Sequence, residues 1–118
     1  MADVVVRESQ LVVHLSPLEK LAAFHGDVAV PLDFVRDAEV EPEPWQALRG
    51  VRAPGTGLPG VIAYGIRRFR GGTDFAAIVG RRPAVRIELD PASGFGRLLV
   101  TVSDPSTVAA TVRRAAGH

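Results

Sequence analysis

The chain of 118 residues contains no cysteine. That removes disulfide cross-links, thiolate nucleophiles and cysteine-ligated zinc or iron–sulfur centres from its chemistry. Aromatic residues are scarce at 6%, with a single tryptophan, Trp45. Lysine is nearly missing: Lys20 stands alone against thirteen arginines, a bias that fits a GC-rich bacterial genome. No stretch approaches the roughly 18 consecutive apolar residues of a membrane-spanning helix. The opening MADVVVRESQ puts an acid where a secretory leader needs basic residues, and Val4, Val5 and Val6 are too few for a leader's apolar core. These absences predict a cytoplasmic protein without a membrane span.

What is present is ordinary for one globular domain over residues 1–118: 47% hydrophobic and 23% charged residues. Folding at this length buries somewhat over about 60% of the unfolded chain's surface, enough for stability without staples. The net charge of +1 conceals an asymmetry. Residues 1–44 carry three basic and nine acidic side chains, whereas residues 45–118 carry eleven and four. Either the halves fold against each other and their charges balance, or the second half contributes a basic face. A general nucleic-acid binder has a far more basic total, so no specific nucleic-acid binding is expected.

Patterning is mostly of period two. Residues 4–7 and 10–15 are β-branched runs around Glu8 and Ser9, a hairpin that opens the fold. Ser16, Pro17 and Glu19 supply an N-cap, a first-turn proline and a capping-box acid for a short helix, with Gly26 placed to end it. Strands follow at 28–32 and 34–40. Residues 41–60, EPEPWQALRGVRAPGTGLPG, hold four of nine prolines and four of twelve glycines and read as a long loop with one helical turn at 44–48. Residues 61–69 and 73–80 flank Gly71-Gly72, the best two-residue hairpin signal in the chain, in a register that sets Arg68 opposite Phe75 and Tyr64 opposite Val79. Strands at 85–89 and 98–102 precede Asp104-Pro105, which starts an amphipathic helix over 104–116. The fold class is therefore mainly β with a minor helical part: an antiparallel sheet of six to eight strands bent into a barrel or sandwich and closed by the C-terminal helix.

Six to eight strands in meander order followed by one amphipathic C-terminal helix resemble the pleckstrin-homology-like barrel, including its bacterial forms. The pieces that carry the resemblance are VAVPLDFVRDAEV, similar to paired strands around a V-P-L-x-x-V corner, and VTVSDPSTVAATV, similar to the last strand and helix. The whole chain, with RGVRAPGTGLPG at its centre, also resembles small uncharacterised actinobacterial proteins. The resemblance implies a scaffold that recognises peptides, proteins or lipids and has no inherent catalytic site. Lipid-binding members carry several basic residues at the first hairpin; here that turn is Arg7-Glu8-Ser9-Gln10, which argues against headgroup binding.

Two basic segments are candidate ligand sites. In the 49–60 segment Arg49 and Arg52 supply charge, Gly55 and Gly57 backbone N–H groups, and Thr56 a hydroxyl for an anion. It is not a phosphate-binding Walker loop, because the lysine and following helix are missing. The other reading is a tight excursion with Arg49 or Arg52 paired to the acidic residues 37–43. Arg67, Arg68 and Arg70 with Asp74 form the second segment, an arginine patch or a solvated turn with a cross-strand ion pair. Trp45 reads as an anchor for the loop. His14, His25 and His118 lack metal-ligand spacing, and no cofactor motif is present. The reading is a non-catalytic module that binds a protein, peptide or anionic group through the 49–60 segment. A small enzyme or ligand carrier, with a barrel-mouth pocket of Arg52, Thr56, Tyr64 and Arg67, is the alternative. A homo-oligomer joined through an exposed sheet edge is the third.

Overall fold

The computed structural model describes residues 1–117, with the side chains of residues 52–54 outside the description. β1 (Asp3–Arg7) and β2 (Gln10–His14) pair antiparallel across Glu8 and Ser9. Both turn residues have positive φ, 49° and 67°, the mirror-image turn whose twist matches a hairpin. α1 (Pro17–Ala23) begins in a full capping box: Glu19 N–H donates to the Ser16 hydroxyl and Ser16 N–H donates to the Glu19 carboxylate. The helix ends at Phe24, whose left-handed φ of 52° turns its N–H back to the Leu21 carbonyl; Gly26, the expected terminator, lies two residues beyond. β3 (Val28–Pro31) pairs with β2 and completes a three-stranded sheet.

A 3₁₀ turn, Leu32–Phe34, leads into the second sheet. Its strands are β4 (Val35–Glu41), β5 (Val51–Leu58), β6 (Ile62–Phe69), β7 (Gly72–Val79), β8 (Ala84–Leu89) and β9 (Arg97–Val100), in spatial order β4-β8-β9-β7-β6-β5. The short helix α2 (Pro44–Ala47) lies between β4 and β5. The expected long loop 41–60 is thus corrected: most of its second half is a strand. Pro54 is tolerated because β5 is an edge strand, and the register with β6 shifts between Arg52 and Gly55.

The sheet is not a meander. β9 sits between β7 and β8, antiparallel to β8 and parallel to β7. The link 80–83 spans this gap because four residues at about 3.3 Å each cover the two strand spacings, about 4.8 Å each, between β7 and β8. In the β6–β7 hairpin the turn is Arg70-Gly71, and only Gly71 has positive φ. Arg68 therefore opposes Thr73, Ile66 opposes Phe75 and Tyr64 opposes Ala77, two residues from the expected register. A shift of two keeps each side chain on its face.

One face of the six-stranded sheet, carrying Phe75, Ile87, Leu98 and Val100, packs on Leu11, Val13, Val28 and Val30 of the smaller sheet. These are two facing sheets with no closed barrel; β4 and β5 remain separate edges. α3 (Pro105–Ala115), capped by Asp104, buries Ala109 and Val112 and packs against β4, β8 and β1. On the outer face Trp45, Ala47 and Leu48 cover Ala63, Ala76, Ile78 and Leu99, and the Trp45 indole donates to the Gly80 carbonyl at 2.8 Å. The charge halves do meet: Arg86 pairs with Glu39 and Glu41, and Arg113 with Asp37.

Candidate functional site

At the hairpin-tip end of the larger sheet the chain builds an arginine clamp. Asp74, on β7, is 2% exposed, and both its oxygens accept from Arg49: Nε to Oδ2 and Nη2 to Oδ1, each 2.8 Å. The Arg49 guanidinium lies 4.4 Å from the centroid of Phe69. Hydrogen bonding to Asp74 raises the Arg49 pKa above the ordinary arginine value, against the opposing effect of burial. Arg67 opposes Asp74 in the strand pair but donates to the Arg49 and Gly50 carbonyls. It therefore holds the segment that carries Arg49. Gly50 adopts a φ of 71°, and a Cβ there would strike the Arg68 carbonyl.

Arg49 borders a basin of about 430 Å³. Phe69, Gly71, Gly72 and Thr73 of the β6–β7 hairpin form one wall, and Glu88, Gly94, Phe95 and Gly96 of the β8–β9 hairpin the other, with Arg36 at the margin. Gly72 admits the Phe69 ring, which a Cβ would displace. Arg36 lies 3.4 Å from Asp90, and Glu88 is bound by Arg97. The Gly94 and Gly96 amides already donate to Pro91 and Thr73 carbonyls. What is left for a guest is the rest of the Arg49 fork, three of its five N–H groups, and two aromatic walls.

The residues singled out in the sequence divide. Arg49, Arg67 and Arg70 fall at this end of the molecule; Arg68 is exposed on the opposite, inner face, in the row of Tyr64 and Ile66. Neither Arg68 nor Arg70 has an ion pair among the described residues. Gly55, Thr56 and Gly57 lie further along β5, opposite Gly65, Tyr64 and Ala63. A Cβ on Gly55 would strike the Tyr64 carbonyl, so this glycine permits close strand approach. The Arg52 side chain lies outside the described residues. Arg49 pairs with Asp74 and not with the acidic stretch 37–43, whose partners are Arg86 and Arg113. Phe69, Thr73, Phe95 and Arg36 were not visible as site residues, since they converge only through strand pairing.

Thr56, Tyr64 and Arg67 enclose only about 10 Å³, space for one water at most. The Tyr64 hydroxyl donates to Glu19 at 2.8 Å, and burial first, then this bond, pushes the phenol pKa up. Asp27 accepts from Leu15 N–H, which chiefly lowers its carboxyl pKa, and lies 3.0 Å from the His14 ring. His25 packs on Phe75, with ring centroids 5.4 Å apart. His118 lies outside the described residues. Among the described residues no group of three or more His, Cys, Asp or Glu is placed to hold a metal, and no helix is long and apolar enough to cross a membrane. No protein-family model matches the chain, nor does any curated protein or solved structure.

Proposed function

We propose that the chain is a non-catalytic interaction module that recognises an acidic peptide segment by accepting a carboxylate side chain into the basin beside Arg49. The observation that carries this reading is the clamp: a guanidinium held in one orientation by a buried carboxylate and an aromatic face, at the wall of a cavity of side-chain size. A pre-oriented fork offers paired N–H groups to a planar carboxylate with little further loss of side-chain entropy. Phe69 and Phe95 suit the methylene stem, and Arg70, exposed at the hairpin tip between the lining residues Phe69 and Gly71, supplies charge beside the basin. The pleckstrin-homology-like resemblance belongs to the same proposal: two strand-rich layers and a C-terminal helix support it, while the parallel β7–β9 pair departs from a meander. The collapsed space at Thr56, Tyr64 and Arg67 weighs against the enzyme or carrier alternative.

The test is a titration of ¹⁵N-labelled protein with a short glutamate-rich peptide and with its glutamine counterpart. Shifts should centre on the amides of Gly71, Gly72, Gly94 and Gly96 for the acidic peptide only. Arg70→Ala should weaken binding by up to about fivefold, the scale of one exposed charge contact. Equal shifts with the neutral peptide, or shifts elsewhere in the molecule, would overturn the proposal.

A further inference from the structure

A different side of the molecule leaves apolar side chains in solvent. On α1 and its C-cap, Leu18, Leu21 and Phe24 are 76%, 69% and 65% exposed, and Val51, Leu58 and Val61, on β5 and the turn after it, are each more than half exposed. β5 is also an open edge, hydrogen-bonded only to β6, whereas the opposite edge, β4, is flanked by α3. Its sequence VRAPGTGL holds one charge and one proline, both before Gly55, so residues 55–58 carry none of the usual edge protection.

The two features are contiguous. Val51 and Leu58 oppose Arg68 and Ile62, which places them on the inner face, in the row of Tyr64 and Ile66. α1 lies over that face: Glu19 binds Tyr64, and His25, beyond the helix, packs on Phe75 nearer the hairpin tip. The helix therefore runs along the β5–β6 pair. At about 100° per residue, Leu18 and Lys20 occupy opposite flanks of the helix. Lys20 reaches toward Asp27 beside the smaller sheet, so the Leu18 flank looks toward β5. An apolar ledge thus follows a free strand edge.

We infer that this edge and ledge form an interface with a second copy of the chain. Two β5 strands pair antiparallel about a two-fold axis normal to the sheet, centred on Thr56. Such an axis keeps both inner faces on the same side, so the two α1 ledges meet across it and the Val51 end of one copy reaches the Val61 turn of the other. A single symmetry operation covers both the open backbone and the Leu18 flank of α1; an added peptide strand would leave Leu18 in solvent. Leu18, Val51, Leu58 and Val61, at on the order of 100 Å² each, together with the paired backbone of β5, supply much of the ~800 Å² per partner of a standard stable interface. Arg68 lies at the Val51 end, away from the axis, and Lys20 on the far flank, so no like charges face each other at the centre.

Sedimentation velocity from micromolar to millimolar concentration tests this, together with amide hydrogen exchange at both ends of that range. The 12.5 kDa chain should sediment as a dimer, with protection at residues 55–58 rising with concentration. Leu18→Glu with Leu21→Glu, both in solvent and so neutral for folding by circular dichroism, should raise the dimer dissociation constant at least about tenfold. A monomer throughout the range overturns the inference, as does a dimer indifferent to the double substitution. Dimerisation without concentration-dependent protection at 55–58 overturns the strand pairing.

Discussion

Tyr64 is the only tyrosine in the chain, and its hydroxyl donates to Glu19, a buried carboxylate on α1. This bond ties the helix to the β5–β6 pair. A hydrogen bond to a charged acceptor contributes about 1.5–3 kcal/mol, so Tyr64→Phe should lower stability by that amount at neutral pH. With a slope of about 1–3 kcal/mol per molar urea, the midpoint should fall by about 1 M. The pH dependence has a definite sign. Burial and the Glu19 contact raise the phenol pKa in the folded protein above its unfolded value of about 10. The folded state therefore holds the proton more tightly. The contribution is complete below about pH 10 and is lost as pH rises through the folded value, at up to about 1.4 kcal/mol per pH unit. Tyr64→Phe lacks this term, so its stability curve should converge on that of the wild type in alkali. Absorbance of the tyrosinate reports the single phenol directly, with circular dichroism following the fold. Ionisation near pH 10 with native circular dichroism would refute the reasoning, as would a cost of Tyr64→Phe below about 0.5 kcal/mol.

Ser9 holds a left-handed φ of 67° at the first hairpin, a conformation that costs a non-glycine residue about 1–2 kcal/mol. Ser9→Gly relieves it but loosens the unfolded chain, so a net gain of about 0.5–1 kcal/mol is expected, read as a rise in thermal midpoint; a lowered midpoint would exclude strain at this turn. Arg49→Met strands the buried Asp74 carboxylate and should cost about 2–4 kcal/mol in urea unfolding, toward the lower side of buried-pair values because Arg49 is 36% exposed. Asp74→Asn in the same chain should recover part of that loss; additive losses would show that the two side chains are not coupled.

Features that rest on neighbouring residues are legible in the sequence. The cap at Ser16 and Glu19 and the helix start at Asp104-Pro105 are built from hydrogen bonds within three residues, so residue identity alone specifies them. The alternation Val85, Ile87, Leu89 marks one face of β8 wherever that strand sits in the sheet. Phe24, by contrast, ends α1 in a conformation that side-chain type disfavours, while the glycine suited to it stands two residues later. β5 was hidden because prolines and glycines read locally as loop; its partner β6 and its place at the edge make a proline and a register shift acceptable there. The site is the least legible part. Arg49 and Asp74 are 25 residues apart, and Asp74 has a closer candidate in Arg67, directly across the hairpin.

By itself, then, the sequence determined a β-rich chain with a capped C-terminal helix, the opening hairpin around Glu8 and Ser9 and the inward row of a strand such as β8, because propensity, capping and period-two burial act over a few residues. The tertiary structure alone decided that β9 enters between β7 and β8, that the sheets face each other without closing, that Asp74 takes Arg49 as its partner, and that α1 and β5 leave an apolar ledge beside an open edge. These depend on which distant strands come to lie side by side, and one residue pattern is compatible with many such neighbours until the core is packed.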